Sequence, residues 1–97
     1  YYLTQFLSGH GRFKTYLYKM ALVDSETCKY CDKKDTPGHT ILECTKWKDI
    51  RQRYVRQVGH HITANNIISH MLASEDKWKI IEELITTILK EKERDEN

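Results

Sequence analysis

"CKYCDKKDTPGHTILEC", residues 28–44, holds all three cysteines of this 97-residue chain and one of its five histidines. The spacing is C-x2-C-x7-H-x4-C. An odd number of cysteines cannot pair completely within one chain, whereas three thiolates and one imidazole complete a tetrahedral ligand set. The stretch therefore reads as a zinc site, with Cys28, Cys31, His39 and Cys44 as the ligands of one Zn2+ ion. Four protein ligands leave no position for water or substrate, so the expected site is structural and not catalytic. Metal binding of about 10–16 kcal/mol in zinc peptides rivals the whole stability of a small domain.

Local signals say how the ligands converge. Two residues separate Cys28 from Cys31, so one turn of backbone points both sulfurs at a common centre, where backbone N–H groups can hydrogen-bond them. Thr36-Pro37 is a helix start: threonine caps free N–H groups and proline suits the first helical position. The predicted short helix covers residues 37–43, with His39 on its first turn and Cys44 at its end. Five residues amount to about 140° around an ideal α-helix, so Cys44 must sit where the helix unwinds.

Outside this loop the chain reads as short helices. Residues 1–7, YYLTQFL, form an apolar and aromatic helical end, interrupted by Ser8-Gly9-His10-Gly11. Phe13, Tyr16, Leu17 and Met20 share one helical face. Thr45 is the expected cap of a helix through residue 58, in which Trp47, Ile50, Tyr54 and Val58 form the inward stripe before Gly59 stops it. Thr63 and Ser74 are the expected caps of two more helices. The last carries the broadest apolar face, Trp78, Ile81, Leu84, Ile85, Ile88 and Leu89, ahead of a charged and frayed KEKERDEN end. The resulting expectation is an all-α, small zinc-stapled helical domain with a CCHC zinc knuckle. It comprises N-terminal helices in 1–21, the knuckle in 22–45, C-terminal helices in 46–90 and a charged tail in 91–97, within one domain of 1–97.

Bulk composition agrees. Hydrophobic residues make up 39% and charged residues 31%, so burial alone supports only a small core. No apolar run is long enough to span a bilayer and no secretory signal is present, which points to a reducing, intracellular setting, nuclear or cytoplasmic. Tyr1 opens directly on an apolar run without an initiator Met, as expected of a piece of a longer polypeptide. The net charge of +2 hides an asymmetry: residues 1–59 carry 11 Lys/Arg against 6 Asp/Glu, and residues 60–97 carry 5 against 8.

The basic half offers a nucleic-acid reading. Lys46, Lys48, Arg51, Arg53 and Arg56 stand against the single acid Asp49, and Lys46 and Arg53 lie seven residues apart on one face with Arg56 beside them. Such a stripe suits phosphate contact with RNA or DNA, and equally suits a solvated helix face. Lys29, Lys33 and Lys34 fit either phosphate binding or relief of the −1 charge of a zinc centre with three thiolates. Trp47 and Tyr54, on the inward stripe, are expected in the core. His10 is expected to pack at the junction of the first two helices, His60 and His61 to form a loop pair, and His70 to stand alone on a helix. No catalytic constellation stands out, so the chain itself is not expected to be an enzyme.

The segments FLSGHGRFKTYLYKM, VDSETCKYCDKKDTPGHTILECTKW and HMLASEDKWKII, in that order, resemble the carboxyl-terminal CCHC region of insect non-LTR (LINE-type) retrotransposon reverse transcriptase polyproteins. The resemblance covers nearly the whole chain. It implies metal ligation by Cys28, Cys31, His39 and Cys44, a role in handling RNA or target DNA during target-primed reverse transcription, and a polymerase located upstream. The chain departs from the family in Ala21 for a glycine, Asp32 for a glycine, Gly38 for an acidic residue and Thr45 for a proline. At Asp32 a left-handed backbone is the expected accommodation. A second hypothesis of different class is a protein-interaction module, with a docking surface or homodimer seam on the C-terminal helix, where Ile80, Ile81, Leu84, Ile85, Ile88 and Leu89 offer more apolar surface than a lone helix hides.

Overall fold

A computed structural model describes residues 1–96. It is all-α: α1 (Tyr2–Ser8), α2 (Lys14–Lys19), a π-helical turn (His39–Glu43), a 3-10 turn (Thr45–Trp47), α3 (Lys48–Val58), α4 (Ile67–Ala73) and α5 (Glu75–Glu96). Among the described residues the only β pairing is one antiparallel bridge, Thr27 to Lys34, which closes a small ribbon around the cysteine pair. No helix is long and apolar enough to cross a membrane.

The 22-residue α5 is the spine, and α1, α3, α4 and the π-helical turn all pack on it. Its Ile81, Leu84, Ile85, Ile88 and Leu89 are buried at helical spacing, together with Phe13, Ile41, Trp47, Ile67 and Met71. Ser74 caps α5 by accepting a hydrogen bond from the Lys77 N–H at 3.1 Å. Gly59 ends α3 in the left-handed conformation at φ 81°, as glycine does without a Cβ clash. The apolar face of α5 is thus consumed inside the molecule, and is not the free seam that the sequence invited.

Five further expectations change. Trp78 begins the α5 stripe but is 36% exposed, because it lines an open surface cavity with Met71 and Leu72 of α4 instead of entering the core. Met20 is 52% exposed, since α2 ends at Lys19 before a second full turn can bring it inward. Thr63 does not cap α4: its N–H donates to Asn66 Oδ1 at 2.7 Å, while Asn66 Nδ2 donates to the His61 carbonyl. The charged end is not frayed through Glu96, which stays helical; Asn97 lies outside the described residues. Of the histidines, His10 packs against the Tyr16 ring, tilted at 4.6 Å, as expected, whereas His70 is not alone but stacks on His60 at 5.1 Å.

What keeps the charged end ordered is Lys92. It continues the buried α5 stripe and is only 6% exposed, donating from Nζ to Asp35 Oδ2 at 2.9 Å, Glu96 Oε1 at 2.6 Å and the Arg12 carbonyl at 3.0 Å. Burial opposes its charge, but Asp35 and Glu96 outweigh that cost and hold its pKa above the ordinary lysine range. Asp35 is 1% exposed and fully used: its carboxylate also accepts from the Lys14 N–H at the start of α2 and from the Thr40 hydroxyl. Its backbone carbonyl accepts from Thr15. One ion pair therefore ties α2, the metal loop and α5 together.

The end of α2 explains one departure from the resembled family. Ala21 has φ 58°, while the Leu22 N–H reaches the Leu17 carbonyl at 2.8 Å and the Ala21 N–H reaches the Tyr18 carbonyl at 3.0 Å. That is a Schellman ending whose left-handed position favours glycine. Asp32, by contrast, is not left-handed: among the described residues Ala21 alone is a non-glycine with positive φ.

These contacts set two stability expectations. Ala21→Gly should stabilise the zinc-loaded protein by about 1 kcal/mol through relief of the Cβ clash, read as a higher urea midpoint. Lys92→Met should destabilise it by about 3 kcal/mol, because Asp35 is left buried without its cation, and Asp35→Asn in the same chain should recover part of that loss.

Candidate metal centre

Cys28, Cys31, His39 and Cys44 come together. Their four ligand atoms all lie within 4.8 Å of one another, and Cys28, His39 and Cys44 are buried while Cys31 is half-buried. The Cys28–Cys44 and Cys31–Cys44 sulfur separations are 3.9 and 3.8 Å. A disulfide would need about 2.05 Å. A tetrahedral ion with zinc–sulfur bonds of about 2.3 Å places its sulfurs about 3.8 Å apart. The geometry is that of ligands around an ion.

The π-helical turn solves the angular problem between His39 and Cys44. The Cys44 N–H reaches back five residues to the His39 carbonyl at 2.6 Å, and Cys44 itself is extended at φ −60°, ψ 126°. The wider turn brings a residue five positions on beside the first, which an α-helix does not do. Thr36 starts the turn as its sequence indicates, its Oγ1 accepting from the His39 N–H at 3.0 Å. On the other side, the Cys28 N–H donates to the Lys33 carbonyl and the Tyr30 N–H donates to the Cys28 sulfur at 3.4 Å.

The donor set is incomplete in a way that a cation remedies. Both ring nitrogens of His39 are buried without a hydrogen-bond partner, although the Glu43 carboxylate stands 3.7 Å from Nδ1, beyond hydrogen-bond length. Leaving such a group unsatisfied costs about 1–3 kcal/mol. Burial pushes the Cys44 thiol up to about 12, with the neighbouring Cys28 adding to the shift, and burial likewise raises Cys28. Cys31 is drawn down to about 6, first by the Thr45 hydroxyl 3.6 Å from its sulfur. The cluster by itself thus favours one thiolate, and a divalent cation reverses that preference for the other two. Three sulfurs and one imidazole in a closed, mostly buried set fit zinc.

Thr45 is the residue whose role differs most from expectation. It begins the 3-10 turn and makes no side-chain cap; its hydroxyl serves the Cys31 sulfur. Arg51 is the second surprise. Its Nε donates to the Ile41 carbonyl at 2.6 Å, and its Nη2 donates to the carbonyls of Thr40 at 3.3 Å and Cys44 at 2.8 Å. The Thr40 and Ile41 carbonyls belong to the π-helical turn, and that of Cys44, just after it, also accepts from the Trp47 N–H at 3.3 Å. Arg51 is therefore a clamp on the ligand loop, a role that its place in the basic run did not announce.

The other cations divide by element. Lys46 belongs to the 3-10 turn, so it does not continue the stripe of α3; its ammonium lies 5.3 Å from the Tyr30 ring centre and 5.8 Å from that of Trp47. Lys48, Arg53 and Arg56 are exposed on α3, with Arg53 5.5 Å from the Tyr54 ring. Trp47 is buried edge-on against Tyr30, and the Tyr54 hydroxyl meets Thr87 on α5, so both aromatics serve the core as expected. Lys29 and Lys34 pair with Asp95 and Glu26.

No family model matches the chain, and no solved structure matches it. Among curated proteins it is similar to the Retrovirus-related Pol polyprotein from type-1 retrotransposable element R1 4 of Nasonia vitripennis, at 23% identity over 83 residues. The match covers 86% of this chain and 21% of the polyprotein, so the chain spans about a fifth of that relative's length. This likeness supports a retrotransposon-related origin, with which the clustered cysteines and histidine are compatible.

Elemental analysis of the purified chain should find one zinc per molecule. Arg51→Lys should release that zinc to a competing chelator at least tenfold more readily, because a lysine keeps the charge but cannot span three carbonyls.

Proposed function

We propose that this chain is a zinc-binding helical module of a retrotransposon reverse transcriptase polyprotein, and that it binds nucleic acid during the element's reverse transcription. Cys28, Cys31, His39 and Cys44 hold the ion. Bound there, zinc supplies neutralisation of the thiolates and a tetrahedral tie, and it takes no part in catalysis. Polymerisation belongs to another part of such a polyprotein, while this module holds RNA or target DNA for target-primed synthesis in the nucleus or cytoplasm.

The observation that carries this reading is the exposed basic side of α3. Lys48, Arg53 and Arg56 project to solvent from a helix whose inner side is fixed by the core and whose start is clamped to the metal loop by Arg51. Rigid placement of the helix fixes where these cations stem from the backbone, so binding need order only their side chains and not the segment that carries them. The likeness to a Pol polyprotein supplies the biological context. A protein-interaction role has a different feature in its favour, the exposed Leu72 and Trp78 beside a surface cavity of about 610 Å³ at the α4–α5 corner. Glu75 and Lys79 there oppose one another in charge and select no partner.

Zinc-loaded protein titrated with RNA, single-stranded DNA and duplex DNA at two salt concentrations should bind with an affinity that falls steeply as salt rises. Arg53→Glu with Arg56→Glu should leave folding and zinc content intact and make the single-strand salt slope shallower by about 0.7 for each phosphate no longer neutralised. Salt-independent binding, or none, would remove the proposal.

A further inference from the structure

A groove runs between the metal loop, α3 and the loop that follows α3. Its volume is about 430 Å³, within the range of sites that enclose small planar ligands. The lining is divided in character. Leu42, Val55 and Ile62 are apolar, whereas Lys48, Arg51 and His61 bring cationic or polar groups to the same space. Glu43 is the one acid that lines it.

Arg51 distinguishes this groove from an ordinary surface crevice. Nε and Nη2 are committed to the three carbonyls of the ligand loop, so the guanidinium plane is held in place. Nη1 has no protein hydrogen-bond partner among the described residues and is not among the buried unsatisfied atoms, so it is open to solvent. A fixed, planar cation beside an apolar lining is a surface on which an unstacked base lies flat. Lys48 stands on the rim, and Arg56 follows Gln52 by four residues along the same side of α3, within reach of the phosphates that flank such a base.

Resting on the nucleic-acid reading above, we infer that this groove takes one splayed-out base of a single strand. The base packs against Leu42, Val55 and the Arg51 guanidinium while Lys48 and Arg56 hold the adjoining phosphates. A paired base cannot enter, so the groove makes the module selective for single strands.

The test uses zinc-loaded full chain, fluorescently labelled oligo(dT) ten nucleotides long, and an abasic phosphodiester of the same length. Wild type should bind the base-bearing strand about tenfold more tightly than the abasic one, as expected for one stacked base. Val55→Met, which extends a thioether into the groove, should bring that ratio close to one without changing abasic affinity. Arg53→Glu, away from the groove, should weaken both ligands equally. A strand carrying 4-thiothymine should photocrosslink to the peptides that contain Leu42, Val55 or His61. A ratio of one in wild type, a ratio that survives Val55→Met, or crosslinks confined to Tyr30 or Tyr54 would overturn the groove assignment while nucleic-acid binding stands. No binding of either strand would overturn the nucleic-acid reading and the groove with it.

Discussion

The constraint on which this molecule depends is the wide turn that places Cys44 beside His39. An α-helix would carry a residue five positions on to a different side, and the ligand set would stay incomplete. The i to i+5 hydrogen bond from Cys44 to the His39 carbonyl resolves this, and it has a cost: carbonyls of the turn lose their helical partners. Arg51 supplies donors to two of them, Thr40 and Ile41, and to the Cys44 carbonyl just beyond, from one rigid fork. The arginine most central to the basic run is thereby committed to structure, and the cations that remain free lie to one side of it.

The same loop is anchored from its other face by Asp35. This residue stands between the cysteine pair and the π-helical turn, and it joins α2 through Lys14, the turn through Thr40 and α5 through Lys92. A buried ion pair is a poor source of net stability compared with well-packed apolar groups. Its contribution here is position. Its directional bonds join a loop without regular structure to the long helix at defined atoms, which a nondirectional apolar contact does not do.

Much of this was legible in local sequence. The Thr36 cap, the Gly59 stop, the Ser74 cap and the buried stripe of α5 each arise from neighbours a few residues apart, where chain geometry leaves few options, and the ligand quartet from residue chemistry concentrated in one 17-residue stretch. Lys92 left a trace as well, because it falls on the register of Ile81, Ile85 and Ile88, a lysine where the stripe calls for an apolar residue. Taken only as part of a charged tail, it passes for a solvated side chain. Asp35 left no trace, since a single acid in a polar loop looks like any solvated turn. Thr45 and Arg51 mislead for a related reason: a threonine before a helix and an arginine in a basic run have common local uses, and their partners here come from other segments.

Sequence alone determined that the chain is helical, that four particular residues form one ligand set, and which stretches carry its positive charge. Those properties rest on spacing and residue chemistry that are written in one short stretch of chain at a time. Only the tertiary structure decided which of those charges are available, which apolar face is left uncovered, and how a groove forms beside the metal loop. Such outcomes depend on partners 10 to 80 residues distant, as in the bonds from Arg51 to Ile41 and from Lys92 to Arg12. Local pattern carries no record of which distant groups compete for the same buried donor.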